Sequence, residues 1–157
     1  MVVERLVKAI PNSLGTKFLD QAVPDCSGIQ RPDVVVLNQD QKKAYLIDVA
    51  CPCERPDNLS AARQRKLDKY AETKKRLEDK GFETMLDAFI VGSLGSWDPG
   101  NDHLLSKLGI GRKYGTLFKK LCCRDAIAGS YEVWASRCRS HASRGGPDRQ
   151  PSSGQTG

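Results

Sequence analysis

The sequence predicts a mixed α/β domain, on three observations. Two apolar runs, Val34 to Leu37 and Ala44 to Ile47, flank a polar hinge; a segment free of Gly and Pro, Ala61 to Asp79, follows; and a third apolar run, Met85 to Val91, comes after it. Strand, strand, helix, strand is the order of a hairpin followed by a crossover, which sets the last strand parallel to its predecessor. A chain of 157 residues suits one domain with a core of its own.

Each element has a local reason. Val2, Val3, Leu6, Val7 and Ile10 recur at helical spacing and Pro11 ends the pattern, so the chain opens on a short amphipathic helix. Gly15 releases Thr16 to Val23, a loosely alternating run around Phe18 that reads as an edge strand and gives the sheet a three-stranded antiparallel start. Pro24 to Gln30 has the composition of a loop. The hairpin runs are almost continuously apolar, as strands covered on both faces are. Two prolines between Cys51 and Asp57 stop the second run. Asn58 or Ser60 can then cap the long helix, in which Leu67, Tyr70, Ala71 and Leu77 make a narrow inward stripe and which Gly81 ends.

The third run leads into a loop, Gly92 to Gly100, that contains Trp97. Asn101 or Asp102 can cap a short helix to Leu108. From Lys113 to His141, Tyr114, Leu117, Phe118, Leu121, Ile127, Tyr131, Trp134 and Cys138 step by threes and fours, predicting one helix, or two with a break near Gly129. Beyond Ser143 no apolar residue occurs, and disorder is expected. The organisation is therefore a core over 1–111, a basic helical extension of the same domain over 112–142, and a tail over 143–157.

Charge is unevenly placed. Residues 1–111 hold 16 Lys/Arg against 16 Asp/Glu, whereas residues 112–157 hold nine basic residues against Asp125, Glu132 and Asp148. All of the net +6 sits in the last third, which suits a polyanionic partner as well as it suits a merely solvated basic helix. No apolar run approaches the length of a membrane span. Glu4, Arg5 and Lys8 interrupt the only apolar stretch at the N-terminus, so no secretory signal is read there. Cys26, Cys51, Cys53, Cys122, Cys123 and Cys138 then read as reduced, scattered buried thiols of a cytosolic or nuclear protein. Their spacing lacks the two-residue gap of zinc ribbons and fingers.

The chemistry concentrates at the outer ends of the hairpin. If its runs pair about a hinge centred between Asp40 and Gln41, residues whose numbers sum to 81 face one another, and Asp33 faces Asp48. Directly opposed residues have Cβ atoms roughly 4.5–5.5 Å apart, so the two carboxylates repel unless a cation lies between them. Mg2+ is the natural candidate, because it takes one or two carboxylates together with a phosphate. On the following helix Lys66, Lys69 and Tyr70 stand at i, i+3 and i+4 and can share a face. Phosphodiester hydrolysis needs these parts: a metal, an activated water and a cation beside the phosphate.

Pro32-Asp33, a gap of 14 residues to Asp48, and a lysine downstream resemble the PD-(D/E)XK superfamily of restriction-like nucleases, with one departure: Ala50 stands where the usual lysine would. In the restriction-like endonuclease domain of site-specific non-LTR retrotransposon polyproteins that lysine comes from the next helix, in a Lys-x-x-Lys-Tyr pattern that Lys66, Lys69 and Tyr70 match. Arg31-Pro32-Asp33, Asp48-Val49, Gly95-Ser96-Trp97, Asn101-Asp102 and Leu104-Leu105 are similar to that group as well.

The resemblance implies a restriction-endonuclease-like core and a metal-dependent endonuclease that nicks a target strand to prime reverse transcription. It implies Mg2+ or Mn2+ held by Asp33, Asp48 and the Val49 carbonyl, with Lys66 or Lys69 orienting water or stabilising charge and Tyr70 positioning the helix or touching DNA. Glu4 is the candidate for a supplementary acid from the first helix. Arg31, Arg112, Lys113, Lys119 and Lys120 are candidates for nucleic-acid contact. The implied partners are a double-stranded DNA target in the nucleus and, through a polyprotein with its reverse transcriptase upstream, the element's RNA. The competing readings are a non-catalytic DNA- or RNA-binding module and an inactive relic with the same fold.

Overall fold

A computed structural model describes residues 1–24 and 30–142. Most of the segment expected as a loop (Pro24 to Gln30), Cys26 and the tail over 143–157 lie outside the described residues. In chain order the elements are α1 (Val2–Ala9), a 3-10 turn (Asn12–Leu14), β1 (Thr16–Leu19), β2 (Val34–Asn38), β3 (Lys43–Ala50), α2 (Asn58–Asp79), β4 (Glu83–Ile90), α3 (Gly100–Lys107) and α4 (Arg112–Ala142). The fold is mixed α/β around one four-stranded sheet ordered β1-β2-β3-β4.

β1, β2 and β3 are antiparallel neighbours, and β4 runs parallel to β3 across the connection that α2 supplies. The period-two alternation of strands sorts their side chains between two layers. Val34, Val36, Ile47 and Phe89 pack with α1, α3 and α4, while Val35, Leu37, Ala44 and Leu46 pack on the other face with Leu77 of α2 and Phe82. Near the far end of α2, Ala62 sits on Ala88 and Ile90. Both faces are covered, which is why the hairpin runs are apolar throughout. Among the described residues no helix is long and apolar enough to cross a membrane.

Local chemistry fixes the junctions. Gly15 adopts φ 148°, and a Cβ there would stand 2.4 Å from the Leu37 carbonyl oxygen, so only glycine lets β1 close onto β2. Lys17 of β1 reaches back to donate to the Val7 carbonyl at 3.0 Å and the Ile10 carbonyl at 2.5 Å, satisfying the end of α1. At the hairpin hinge the Asn38 side chain accepts the Gln41 N–H at 2.9 Å.

Several expectations are corrected. β1 ends at Leu19, because Asp20 turns the chain with φ 44°, although Val23 beyond it is still buried. The N-cap of α2 is Asp57, with φ 59°, and neither Asn58 nor Ser60 caps it: Asn58 Nδ2 donates to the Cys53 carbonyl and Ser60 Oγ to the Asp57 carbonyl. Ala71 is exposed; the buried face of α2 runs through Ala62, Tyr70, Thr73 and Leu77. α4 continues unbroken through Gly129. It buries Phe118, Cys122 and Ala126, while Tyr114, Leu117, Ile127, Tyr131 and Trp134 are exposed.

Asn101 and Asp102 do not cap α3, whose N-cap is Pro99. Asn101 instead completes the open edge of β4, its Nδ2 donating to the Ile90 carbonyl at 2.6 Å and its Oδ1 accepting the Ile90 N–H at 2.9 Å, as a neighbouring strand would. Asp87 Oδ1 accepts the Ala88 N–H at 2.7 Å on the same edge. Arg63 reaches from α2 to bind Asp87, Asp98 Oδ1 at 3.0 Å and Asn101 Oδ1 at 2.8 Å. A Cβ at Gly100 would stand 2.7 Å from the Arg63 Cζ, so the bare backbone there makes room for the guanidinium.

Candidate active site

The hairpin register places the two aspartates together. Val34 pairs with Ile47 and Val35 with Leu46, each pair summing to 81, and the pattern carries one step further to Asp33 and Asp48. There side chains replace carbonyls in the ladder. The Asp33 N–H donates to Asp48 Oδ1 at 3.2 Å, and the Val49 N–H donates to Asp33 Oδ2 at 2.7 Å.

α2 covers this end of the hairpin and supplies two side chains one turn apart. The Tyr70 hydroxyl lies 3.1 Å from Asp48 Oδ1 and 2.9 Å from the Arg31 carbonyl oxygen; its one proton serves either acceptor. The Lys66 ammonium forms an ion pair with Asp48 Oδ2. That oxygen is buried and no hydrogen bond reaches it, so the pairing with Lys66 is one of charge without hydrogen-bond alignment. Lys69 is exposed and packs 4.7 Å over the Tyr70 ring. The choice that the sequence leaves between the lysines is thus made by the rotation of α2: Lys66 meets the aspartates and Lys69 does not.

Asp48 is 2% exposed, and Asp33 is half-buried. Burial pushes the Asp33 carboxyl above its ordinary range, the Asp48 charge adds to the rise, and the Val49 N–H and the Lys66 charge oppose it. Burial, and then the Asp48 charge, likewise push the Tyr70 phenol up, so it acts as a neutral donor.

The donor set fits a hard divalent cation. Two carboxylates side by side, an Asp48 oxygen lacking a hydrogen bond, and a lysine ammonium held against it together make a position built for positive charge. Val49 enters the site through its N–H, which orients Asp33.

The other sequence candidates fall elsewhere. Glu4 lies on the exposed side of α1, 3.5 Å from the N-terminal ammonium, and α1 packs on the sheet face opposite α2. Arg31 is exposed and contributes its carbonyl to Tyr70. Arg112 and Lys119 line a hollow between α3 and α4, where the Lys119 ammonium stands 5.2 Å over the Trp97 ring. Lys113 and Lys120 are exposed seven residues apart on another line of α4. Of the described cysteines only Cys122 is buried, which corrects the expectation of buried thiols; burial pushes Cys122 up to about 12, and the partial burial of Cys123 raises it too. Among the described residues no cluster of three His, Cys, Asp or Glu could hold a metal ion.

Sequence reasoning missed Arg63, Asp87 and Asp98, and it missed Glu54, whose Oε1 accepts the Leu94 N–H at 3.0 Å and the Ser96 N–H at 2.8 Å. No local pattern marks them, because each pairs with a residue far along the chain. Trp97 and Asn101 prove architectural: Trp97 packs edge-on against Phe89 at 5.4 Å and donates to Asp102 at 3.0 Å.

No family model matches the chain, and no curated protein matches it. Among solved structures it is similar to an N-terminal domain of a reptarenavirus L protein, at 17% identity and a TM-score of 0.41, over 68% of this chain and 57% of that one. The chain therefore spans less than two thirds of that domain's length. At this degree the likeness assigns neither fold family nor activity.

Proposed function

We propose that this chain is a metal-dependent DNA endonuclease with a restriction-endonuclease-like core, acting for a non-LTR retrotransposon by nicking nuclear target DNA so that reverse transcription can begin. The observation that carries the proposal is the convergence of Asp33, Asp48 and Lys66, with the one Asp48 oxygen that lacks a hydrogen bond facing a cation. Asp33 and Asp48 are the residues that would hold Mg2+ or Mn2+, with the Val49 carbonyl as a further ligand. When bound, such an ion neutralises charge developing on the attacked phosphate and lowers the pKa of water.

The chain's own groups do the rest. Lys66, released from Asp48, presents its ammonium to the phosphate oxygens or to the attacking water. Tyr70 tethers α2 to Asp48 and to the Arg31 carbonyl, and so fixes where Lys66 can reach. Lys113 and Lys120 supply phosphate contacts that strengthen binding without reading sequence.

The test is plasmid nicking by wild type and Asp48→Ala with Mg2+ or Mn2+. Wild type is expected to nick and Asp48→Ala to bind DNA as well or better while losing most cleavage, because a carboxylate no longer faces phosphate without its cation. A wild type that binds DNA as well as Asp48→Ala does and never nicks it with either metal is a binding module, and the resemblance is then one of ancestry.

A further inference from the structure

The outer face of α4 carries a second stripe that the aspartate site leaves unused. Lys113, Leu117, Lys120, Arg124, Ile127, Tyr131 and Trp134 follow one another along it at intervals of three and four that keep them on one line of a helix, the cations toward its start and the rings toward its end. The apolar members are 54%, 46%, 64% and 61% exposed in that order. The Tyr131 and Trp134 rings stand 6.0 Å apart and 36° from parallel, forming a shelf.

Beside Trp134 lies a trough of about 750 Å3, walled by Val2 and Val3 of α1, Ala126 and Val133 of α4, and Val49 of β3, with Arg137 on its lining. Val49 lines the trough on the α1 and α4 side of the sheet and its N–H holds Asp33, so the trough reaches from the aromatic shelf to the strand end whose opposite face carries the candidate active site.

A line of cations that runs on into a pair of exposed rings identifies the occupant. A second copy packed parallel would set Lys113, Lys120 and Arg124 each against its own counterpart, and an antiparallel one centred on the stripe would set Arg124 against Arg124. An apolar protein surface would offer Lys113 and Lys120 no counter-charge. A nucleic-acid strand has phosphates for the cations and base faces for the rings. Bases inside a duplex are already stacked on their neighbours, so rings of this kind take an unpaired strand. We infer that the α4 stripe and the trough beside Trp134 bind unpaired DNA leading to Asp33 and Asp48, and that the enzyme acts where a duplex gives way to a single strand. For the destination of that strand the inference rests on the nuclease reading.

The test is binding by the full chain without divalent metal, by fluorescence anisotropy with a labelled single-stranded oligonucleotide and with the uninterrupted duplex of the same sequence. Wild type is expected to prefer the single strand, which quenches tryptophan fluorescence. Trp134→Ala should lose about tenfold in single-strand affinity, the scale of one base–ring stack, with duplex affinity unchanged. Trp134→Phe keeps a ring and should retain most of the affinity. Circular dichroism checks that these exposed substitutions leave the fold intact. Equal single-strand affinity in wild type and Trp134→Ala overturns the inference, as does a parallel loss on both probes. So does sedimentation showing a wild-type dimer that Trp134→Ala dissolves while binding DNA undiminished. Asp48→Ala should reproduce the wild-type preference, so the binding result stands apart from any failure to detect nicking.

Discussion

The Lys66 ammonium faces Asp48 Oδ2, the oxygen of that carboxylate that accepts no hydrogen bond, while Oδ1 is served by the Asp33 N–H and the Tyr70 hydroxyl. A lysine in that position and a divalent cation compete for one oxygen. Lys66→Met is therefore expected to bind Mn2+ several-fold more tightly than wild type in calorimetry, yet to lose cleavage, since the cation for the phosphate is gone. Its melting temperature should fall, because a buried carboxylate loses its counter-charge, and should recover when Mn2+ is saturating. Lys69→Met, which removes a side chain lying over the Tyr70 ring, should change neither metal affinity nor turnover by more than a small factor. Unchanged Mn2+ affinity in Lys66→Met would show that the ammonium does not hold the metal position.

How far this site was legible depended on the kind of regularity involved. The meeting of Asp33 and Asp48 is arithmetic: in an antiparallel hairpin a hinge fixes every opposed pair, and the observed pairs sum as the hinge requires. Lys66 and Lys69 lie within one turn of the same helix, so the choice between them turns on how α2 rotates against the sheet. Its apolar marks were too sparse to fix that rotation, and Ala71, counted inward, faces out. α4 presents a related ambiguity. Steps of three and four fit its buried line, Phe118 to Ala126, and its exposed line, Leu117 to Trp134, equally well, and only packing against α1 and the sheet distinguishes them. Asn101 has the composition of a cap, but its amide pairs with Ile90 because β4 has an open edge to satisfy, a fact of sheet order that no local sequence carries.

Arg63 closes that edge, and its loss should be felt in stability. It joins Asp87 and Asp98, with side chains only 15% and 8% exposed, to the Asn101 that completes β4. Arg63→Ala leaves two carboxylates partly buried and close together without their cation, so we expect a loss of about 3 kcal/mol, the scale for breaking a buried pair on one side. Arg63→Lys should recover little of it, because a single ammonium cannot reproduce the fork that spans three acceptors. Urea denaturation measures both, and a loss below about 1 kcal/mol for Arg63→Ala would put the pair in the class of solvated surface bridges.

The last prediction concerns acid. Burial raises the Asp33 carboxyl above its ordinary value of 3.8, so the native state holds that proton more tightly than the unfolded chain does. The stability contributed by a raised group is fully present below its unfolded value and is lost as pH rises through its folded value. Asp33 therefore weakens the fold as pH climbs from 3.8 toward neutrality. Asp125, held low by Arg5 and the N-terminus against its own desolvation, and Glu54, held low by the Ser96 N–H, act in the opposite sense and lose their contribution as pH falls. A melting curve of wild type alone mixes these signs, so the informative quantity is the difference from Asp33→Asn. The amide oxygen can still accept the Val49 N–H, and the substitution removes the charge that repels Asp48. Asp33→Asn should thus melt above wild type at pH 7 and lose that advantage on approaching pH 4. Mn2+ at neutral pH should close the gap from the other side, by stabilising wild type and leaving the variant nearly unaffected. A melting difference that does not change with pH would mean that Asp33 titrates alike in the folded and unfolded chain, and the strain between the two aspartates would then be too small to draw a metal ion between them.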